Sequence, residues 1–205
     1  ARINHRMHNK LLIADSQVAI VGGRNIAEEY FGFNRNRNFR DFDVMTTGEV
    51  MPQITNSFDS YWNSDWAFPV AIVDRRKGTQ EELNRLRGEL RANAAILDDW
   101  VKSAAAESHN WAKQWAALAP TMLPGKAIIH QDNPDIGDDA PPEQAARQVL
   151  ALFAQTEADV VSISAYLIPP DDVLHTINDL SQRDVQIKAL TNSLASNNHV
   201  AAHTA

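Results

Sequence analysis

Apolar and polar residues alternate over residues 7–13, Asp15-Ser16 breaks the run, and a second apolar stretch fills residues 18–21. This pattern predicts two strands joined by a tight turn. Residues 27–33 predict a short helical turn, residues 34–38 a polar loop of alternating Asn and Arg, and residues 39–45 a third strand. After Gly48, the apolar positions Met51, Ile54, Phe58 and Tyr61 or Trp62 recur at helical spacing and predict a core helix. Residues 66–73, with Pro69, read as an extended exit segment.

The character changes over residues 79–119. Leu83, Leu86, Leu90, Ala94, Leu97 and Val101 fall at three- and four-residue steps on a good helix-forming background, which predicts an amphipathic helix. A second helical stretch carries Trp111 and Trp115 on one face, with Trp100 upstream. Because its polar face mixes Glu107 with Lys113 and lacks a basic stripe, buried tryptophan anchors are expected over an interfacial membrane surface. Residues 126–130 predict a short strand, and residues 131–142, rich in Asp, Pro and Gly, have the composition of a linker. A helix over 142–155 with Glu143 in its first turn, a strand over 159–166, a helix over 171–182 and a strand over 185–191 follow. Such alternation predicts α/β layers around a mixed, largely parallel sheet.

With 205 residues the chain suffices for one large domain or two small ones, and no apolar run approaches the length of a membrane span. The net charge of −7 and pI near 5.4 remove any global basic field, so attraction to phosphate has to be local, and nucleic acid is disfavoured as a partner. The absence of cysteine excludes disulfides and thiolate metal sites.

The candidate chemistry lies near the start. Side chains two apart on a strand share a face, so His8 and Lys10 are expected to point the same way, opposite to Met7, Asn9 and Leu11. A neutral imidazole is a nucleophile toward phosphorus, and a neighbouring ammonium can hold non-bridging oxygens as charge develops on them. Asp15 is expected to orient a histidine or offset local positive charge. Gly22 and Gly23 would allow a sharp turn close to a ligand, with the Asn25 amide donating to phosphate. Arg35, Arg37 and Arg40 read as a solvated loop, with contact to a lipid phosphate as the alternative. Asp41 and Asp43 share a strand face and are expected to join a charge network with an arginine or His5 in preference to a metal.

His8-x-Lys10-x4-Asp15 followed by Gly22-Gly23-x-Asn25 resembles the HKD signature of the phospholipase D superfamily, and the resemblance continues through residues 26–31, 39–44 and 57–62. These segments are most similar to bacterial family proteins of the cardiolipin synthase C type, and residues 160–169 and 190–194 resemble the opening of the same family's second lobe. The resemblance implies a two-lobe α-β-α fold, incomplete here: the end of a first lobe at 1–78 with its motif in 2–31, a helical connection at 79–125, and the start of a second lobe at 126–205. It also implies catalysis by His8, Lys10 and Asp15, phosphate binding by Gly23 and Asn25, and no metal or other cofactor. Its implied substrates are phospholipids, with phosphatidylglycerol or phosphatidylethanolamine as acceptor, and its implied setting is the periphery of a bacterial inner membrane.

Enzymes of this superfamily place two motifs face to face, and no second His-x-Lys-x4-Asp occurs here. His199 and His203 lack the lysine and aspartate, while His109, His130 and His175 read as structural. A single imidazole does not readily serve as nucleophile and general acid in one step, so little activity is expected from one motif. The motif begins a few residues from Ala1, which suggests a chain cut from something longer. Four readings follow: a phosphatidyltransferase contributing one of two motifs, a phospholipase D-type hydrolase, a one-motif phosphodiesterase or nuclease completed by dimerisation, and a non-catalytic scaffold.

Overall fold

Asp15 and Ser16 both take left-handed backbone angles, φ 51° and 53°, and Gln17 N–H donates to Ala14 O at 2.9 Å. Aspartate tolerates this region better than most residues, which is why the chain reverses here. The computed structural model describes residues 7–74, 78–95, 102, 110–134, 144–193 and 196. Around the turn, strands β1 (Leu11–Ala14) and β2 (Val18–Gly22) pair antiparallel, and β3 (Asp43–Thr47) adds to the other side of β2. The register Ile13↔Ala19↔Thr46 and Leu11↔Val21↔Val44 places Leu11, Ile13, Ala19 and Val21 on one face. Helix α1 (Met51–Trp62) covers that face, with Val50, Met51 and Ile54 buried against Ala19, and Ile129 closes the cluster.

Helix α5 (Gln144–Ala154), β4 (Asp159–Ile163), α6 (Asp171–Gln182) and β5 (Gln186–Leu190) form a second α/β element. The strands are parallel, Val160 pairing with Ile187, so the connection between them must cross over and does so through α6. Val160, Leu180 and Val185 make its core, with Phe153 and Ile187 against it. The segment around residues 129–132 ties this element to α1: Tyr61 Oη donates to Asp132 O at 2.8 Å, Asp132 Oδ1 accepts from Ala145 N at 2.8 Å, and His130 Nδ1 meets Gln148 Oε1. His130 is thus structural, as its sequence context predicts. His175 is exposed on α6 and makes no hydrogen bond among the described residues, so it is a surface side chain.

The chain divides into two compact units, Ala1–Trp66 with Ile128–Ala205, and Ala67–Ala127. The second unit contains α2 (Val70–Val73), α3 (Gln80–Ala95) and α4 (Trp111–Leu118). None of its described residues is buried.

Several expectations change. Among the described residues the strands form not one largely parallel layer but two separate small sheets, one antiparallel and one parallel. The first strand begins at Leu11, four residues later than its pattern, and the strand expected at 39–45 runs over Asp43–Thr47. The reason for the second shift is that Phe39 N–H donates to Glu29 O, and Asp41 O accepts from the Arg24 guanidinium, so residues 39–42 make loop bonds in place of a ladder. Residues 70–73 are helical, not extended: Pro69 stands at the N-cap and its carbonyl accepts from Ile72 N at 2.9 Å, while Asp74 N donates to Val70 O at 2.8 Å. Residues 126–130 form no strand. Met51 and Ile54 are core as expected, but Phe58 and Trp62 are exposed and stack on each other at 5.8 Å. Trp111 and Trp115 are 68% and 44% exposed, so they are not buried anchors; no layer of described residues covers them. The expectations for His5, Leu97, Trp100, Val101, Glu107, His109, Glu143, Leu194, His199 and His203 lie outside the described residues.

Candidate active site

The face of the first sheet opposite α1 carries Leu12 and Ile20, both exposed, beside a polar row. Gly22 pairs with Asp43, and continuing the Leu11–Val21 pairing by one step puts Lys10 opposite Gly22, where Gly22 N–H donates to Lys10 O at 3.3 Å. Lys10, just ahead of β1, therefore stands beside Gly22 of β2, which in turn lies beside Asp43 of β3. The half-buried Lys10 turns its ammonium back to donate to His8 O at 2.7 Å. The His8 side chain is exposed, and its ring makes no hydrogen bond among the described residues.

The two glycines have a different reason from the one their sequence suggests. Neither takes a left-handed angle; instead, a Cβ at Gly22 would come within 2.6 Å of Asp43 Cγ, and one at Gly23 within 2.9 Å of Asp41 Cγ. The carboxylates lie where side chains would otherwise be. Arg24 then fastens the arrangement from above the turn: Nη1 pairs with Asp43 Oδ2 at 3.0 Å and Nη2 donates to Asp41 O at 3.2 Å. With Arg24 40% exposed, the ion pair alone contributes little, about 0–1 kcal/mol, so its effect is chiefly on geometry. The expected network of Asp43 with an arginine is present, and its partner is Arg24. Among the described residues no acidic or histidine cluster could hold a metal.

Asn25 Nδ2 donates to Tyr30 Oη at 3.0 Å, and Tyr30 packs edge-on against Phe39 at 5.1 Å. Asp15 sits in the hairpin turn, at the end of β1 away from Lys10, exposed and without a hydrogen bond to His8 or Lys10. The fold therefore brings together His8, Lys10, Gly22, Gly23 and Asn25 on one end of the hairpin and keeps Asp15 at the other. Arg24 and Tyr30 escaped the sequence reading as site residues. Arg24 lies at the unspecified position of Gly22-Gly23-x-Asn25, and only the cross-strand register reveals its carboxylate partner.

The space required by the carboxylates gives a direct expectation. Gly22→Ala should destabilise the protein by about 1–3 kcal/mol, as overpacking does. In an Asp43→Ala background most of that cost should vanish. A denaturation double-mutant cycle measures the coupling; equal costs in both backgrounds would mean that Asp43 does not impose the glycine.

The chain is 27% identical over 208 residues to an uncharacterized protein of Helicobacter pylori strain J99, covering 100% of this chain and 40% of that one. It is also 27% identical over 214 residues to cardiolipin synthase C of Escherichia coli K12, covering 99% and 43% respectively. Along its whole length the chain is thus similar in sequence to a cardiolipin synthase. A shorter match, 35% identical over 75 residues, links it to cardiolipin synthase 1 of Staphylococcus epidermidis and covers 37% of this chain and 15% of that one. The chain thus spans about two fifths of the length of the relatives that it matches throughout. No family model and no solved structure matches it.

Proposed function

We propose that this chain supplies one of two catalytic motifs of a phospholipase D-like phosphatidyltransferase that joins phospholipids to form cardiolipin. The observation that carries this reading is the alignment of His8, Lys10 and the glycine turn at one end of a hairpin, in a chain similar over its whole length to cardiolipin synthase C.

In this mechanism an imidazole nitrogen of His8 attacks the phosphorus of a phosphatidyl donor. A P–N bond forms as the P–O bond to the leaving alcohol breaks, and the alcohol takes a proton from a general acid supplied by a second motif. The Lys10 ammonium, freed from His8 O, takes the non-bridging oxygens as their charge grows. Gly23 N–H and the Asn25 amide are the remaining phosphate donors, with Arg24 and Asp43 fixing the turn that presents them. An acceptor lipid hydroxyl then attacks phosphorus, surrenders its proton to the second motif, and breaks the P–N bond. Asp15 acts through the turn that sets the register of β1 against β2 and not by touching His8. The first-lobe and second-lobe assignment of residues 1–78 and 126–205 belongs to the same proposal, as does peripheral residence at a bacterial inner membrane. No described helix is long and apolar enough to cross one.

The test is to incubate the intact protein with phosphatidylglycerol labelled in its phosphatidyl group, quench with alkali, and map any phosphoramidate by mass spectrometry. Label on His8 together with cardiolipin in the lipid extract supports the proposal. Phosphatidic acid as the sole product would make the protein a hydrolase, and cleavage of a generic phosphodiester by a dimer would favour the nuclease-like reading.

A further inference from the structure

We propose that the arginine loop at residues 34–38 docks the protein on the anionic headgroups of a phospholipid bilayer beside the candidate active site. This rests on the phospholipid reading above, and names the surface through which such a site would reach its substrate.

The loop is built to hold its shape. Asn34 Oδ1 accepts from Asn36 N at 2.9 Å and from Arg37 N at 3.2 Å, while Asn38 Oδ1 accepts from Asn34 N at 3.1 Å and Asn38 Nδ2 donates to Asn34 O at 2.9 Å. Two asparagines thus satisfy the backbone of a loop that no strand or helix supports. At its base, Phe39 N–H donates to Glu29 O at 2.8 Å, and Phe39 packs on Tyr30, whose hydroxyl accepts from Asn25. The loop is therefore connected through three side chains to the glycine turn of the motif.

What this frame presents is positive charge with apolar flanks. From Phe31 to Arg40 the sequence holds three arginines and no acid, in a chain of net charge −7. Arg35, Arg37 and Arg40 are exposed, and among the described residues none of their guanidinium groups takes part in an ion pair or hydrogen bond. Phe31 and Phe42, on either side, are 54% and 79% exposed. Guanidinium groups bind phosphate in a fixed fork geometry, and exposed phenylalanine rings can bury at the boundary between headgroups and acyl chains. Nucleic acid would satisfy the arginines alone. The phenylalanines favour a surface with an apolar layer beneath its phosphates.

The test is sedimentation of the intact protein with vesicles of phosphatidylcholine containing or lacking phosphatidylglycerol, read as bound protein and not as turnover. Wild type should bind the anionic vesicles preferentially and lose binding as salt rises. The Arg35→Gln, Arg37→Gln, Arg40→Gln triple variant should bind on the order of a hundredfold more weakly, from a contribution of ~1 kcal/mol for each basic side chain at the surface. The corresponding triple lysine variant should keep most of the binding, and circular dichroism should show all three proteins equally folded. Undiminished vesicle binding by the glutamine variant overturns the proposal, as does tighter arginine-dependent binding to single-stranded DNA than to the vesicles. Because turnover is not read, loss of docking leaves the transfer proposal intact, and a protein that docks without forming cardiolipin overturns only the latter.

Discussion

His8→Ala is expected to abolish phosphatidyl transfer by the intact protein while leaving its unfolding free energy within about 0.5 kcal/mol of wild type, because the side chain is exposed and makes no hydrogen bond among the described residues. In the proposed mechanism the His8 imidazole forms the phosphohistidine, and water cannot replace it in forming that bond. Lys10→Ala should retain the nucleophile and lose the cation that faces the developing phosphoryl charge, at a cost on the order of 10² to 10³ in rate. The separation between the two variants is informative. A cardiolipin-forming assay that found wild-type rates in His8→Ala would move the nucleophile elsewhere, and equal losses in both variants would mean that Lys10 positions His8 through its carbonyl and does not stabilise charge.

The second large effect is on stability. Ile54 is 1% exposed and fills the centre of the cluster between α1 and the inner face of β1 and β2. Ile54→Ala should destabilise the protein by ~2–5 kcal/mol, the lost transfer free energy plus the cavity left behind. Ile54→Val, which deletes one methylene, should cost about 0.5–1.5 kcal/mol. Urea midpoints measure both. A cost under ~1 kcal/mol for the alanine variant would show that this cluster does not organise the hairpin, and the register that aligns Lys10, Gly22 and Asp43 would then need another support.

The chemistry of the candidate site depends on that register more than on any single contact. Lys10 and Leu11 are adjacent in the chain yet face opposite ways, one to the polar row and the other to the core under α1. Shifting β1 by one residue would bury the lysine and expose the leucine. Burial of Ala19, Met51 and Ile54 therefore determines where the ammonium stands, although none of them is polar.

Elements whose signals are local were legible from the residues alone. The hairpin about Asp15-Ser16, helix α1, and the strand–helix–strand of β4, α6 and β5 each arise from periodicity over a few residues with a turn former or proline at the boundary. The similarity to cardiolipin synthases was legible for the same reason, since the spacing of the residues that suggested it is short. Contacts between distant residues were not. The stacking of the Asp43 carboxylate over Gly22, the bond from Arg24 to both Asp41 and Asp43, the displaced start of β3 and the separation of two small sheets depend on which strand lies beside which, and a local pattern carries no such information. The tryptophans make the same point from the opposite side: their helical spacing defines a shared face, but whether anything covers that face is decided by the rest of the packing. Sequence by itself determined the hairpin and singled out His8 and Lys10 as candidate groups, which lie just ahead of β1 and not on it; tertiary structure decided which groups surround them, because strand register and burial are set by the whole chain and not by neighbours in it.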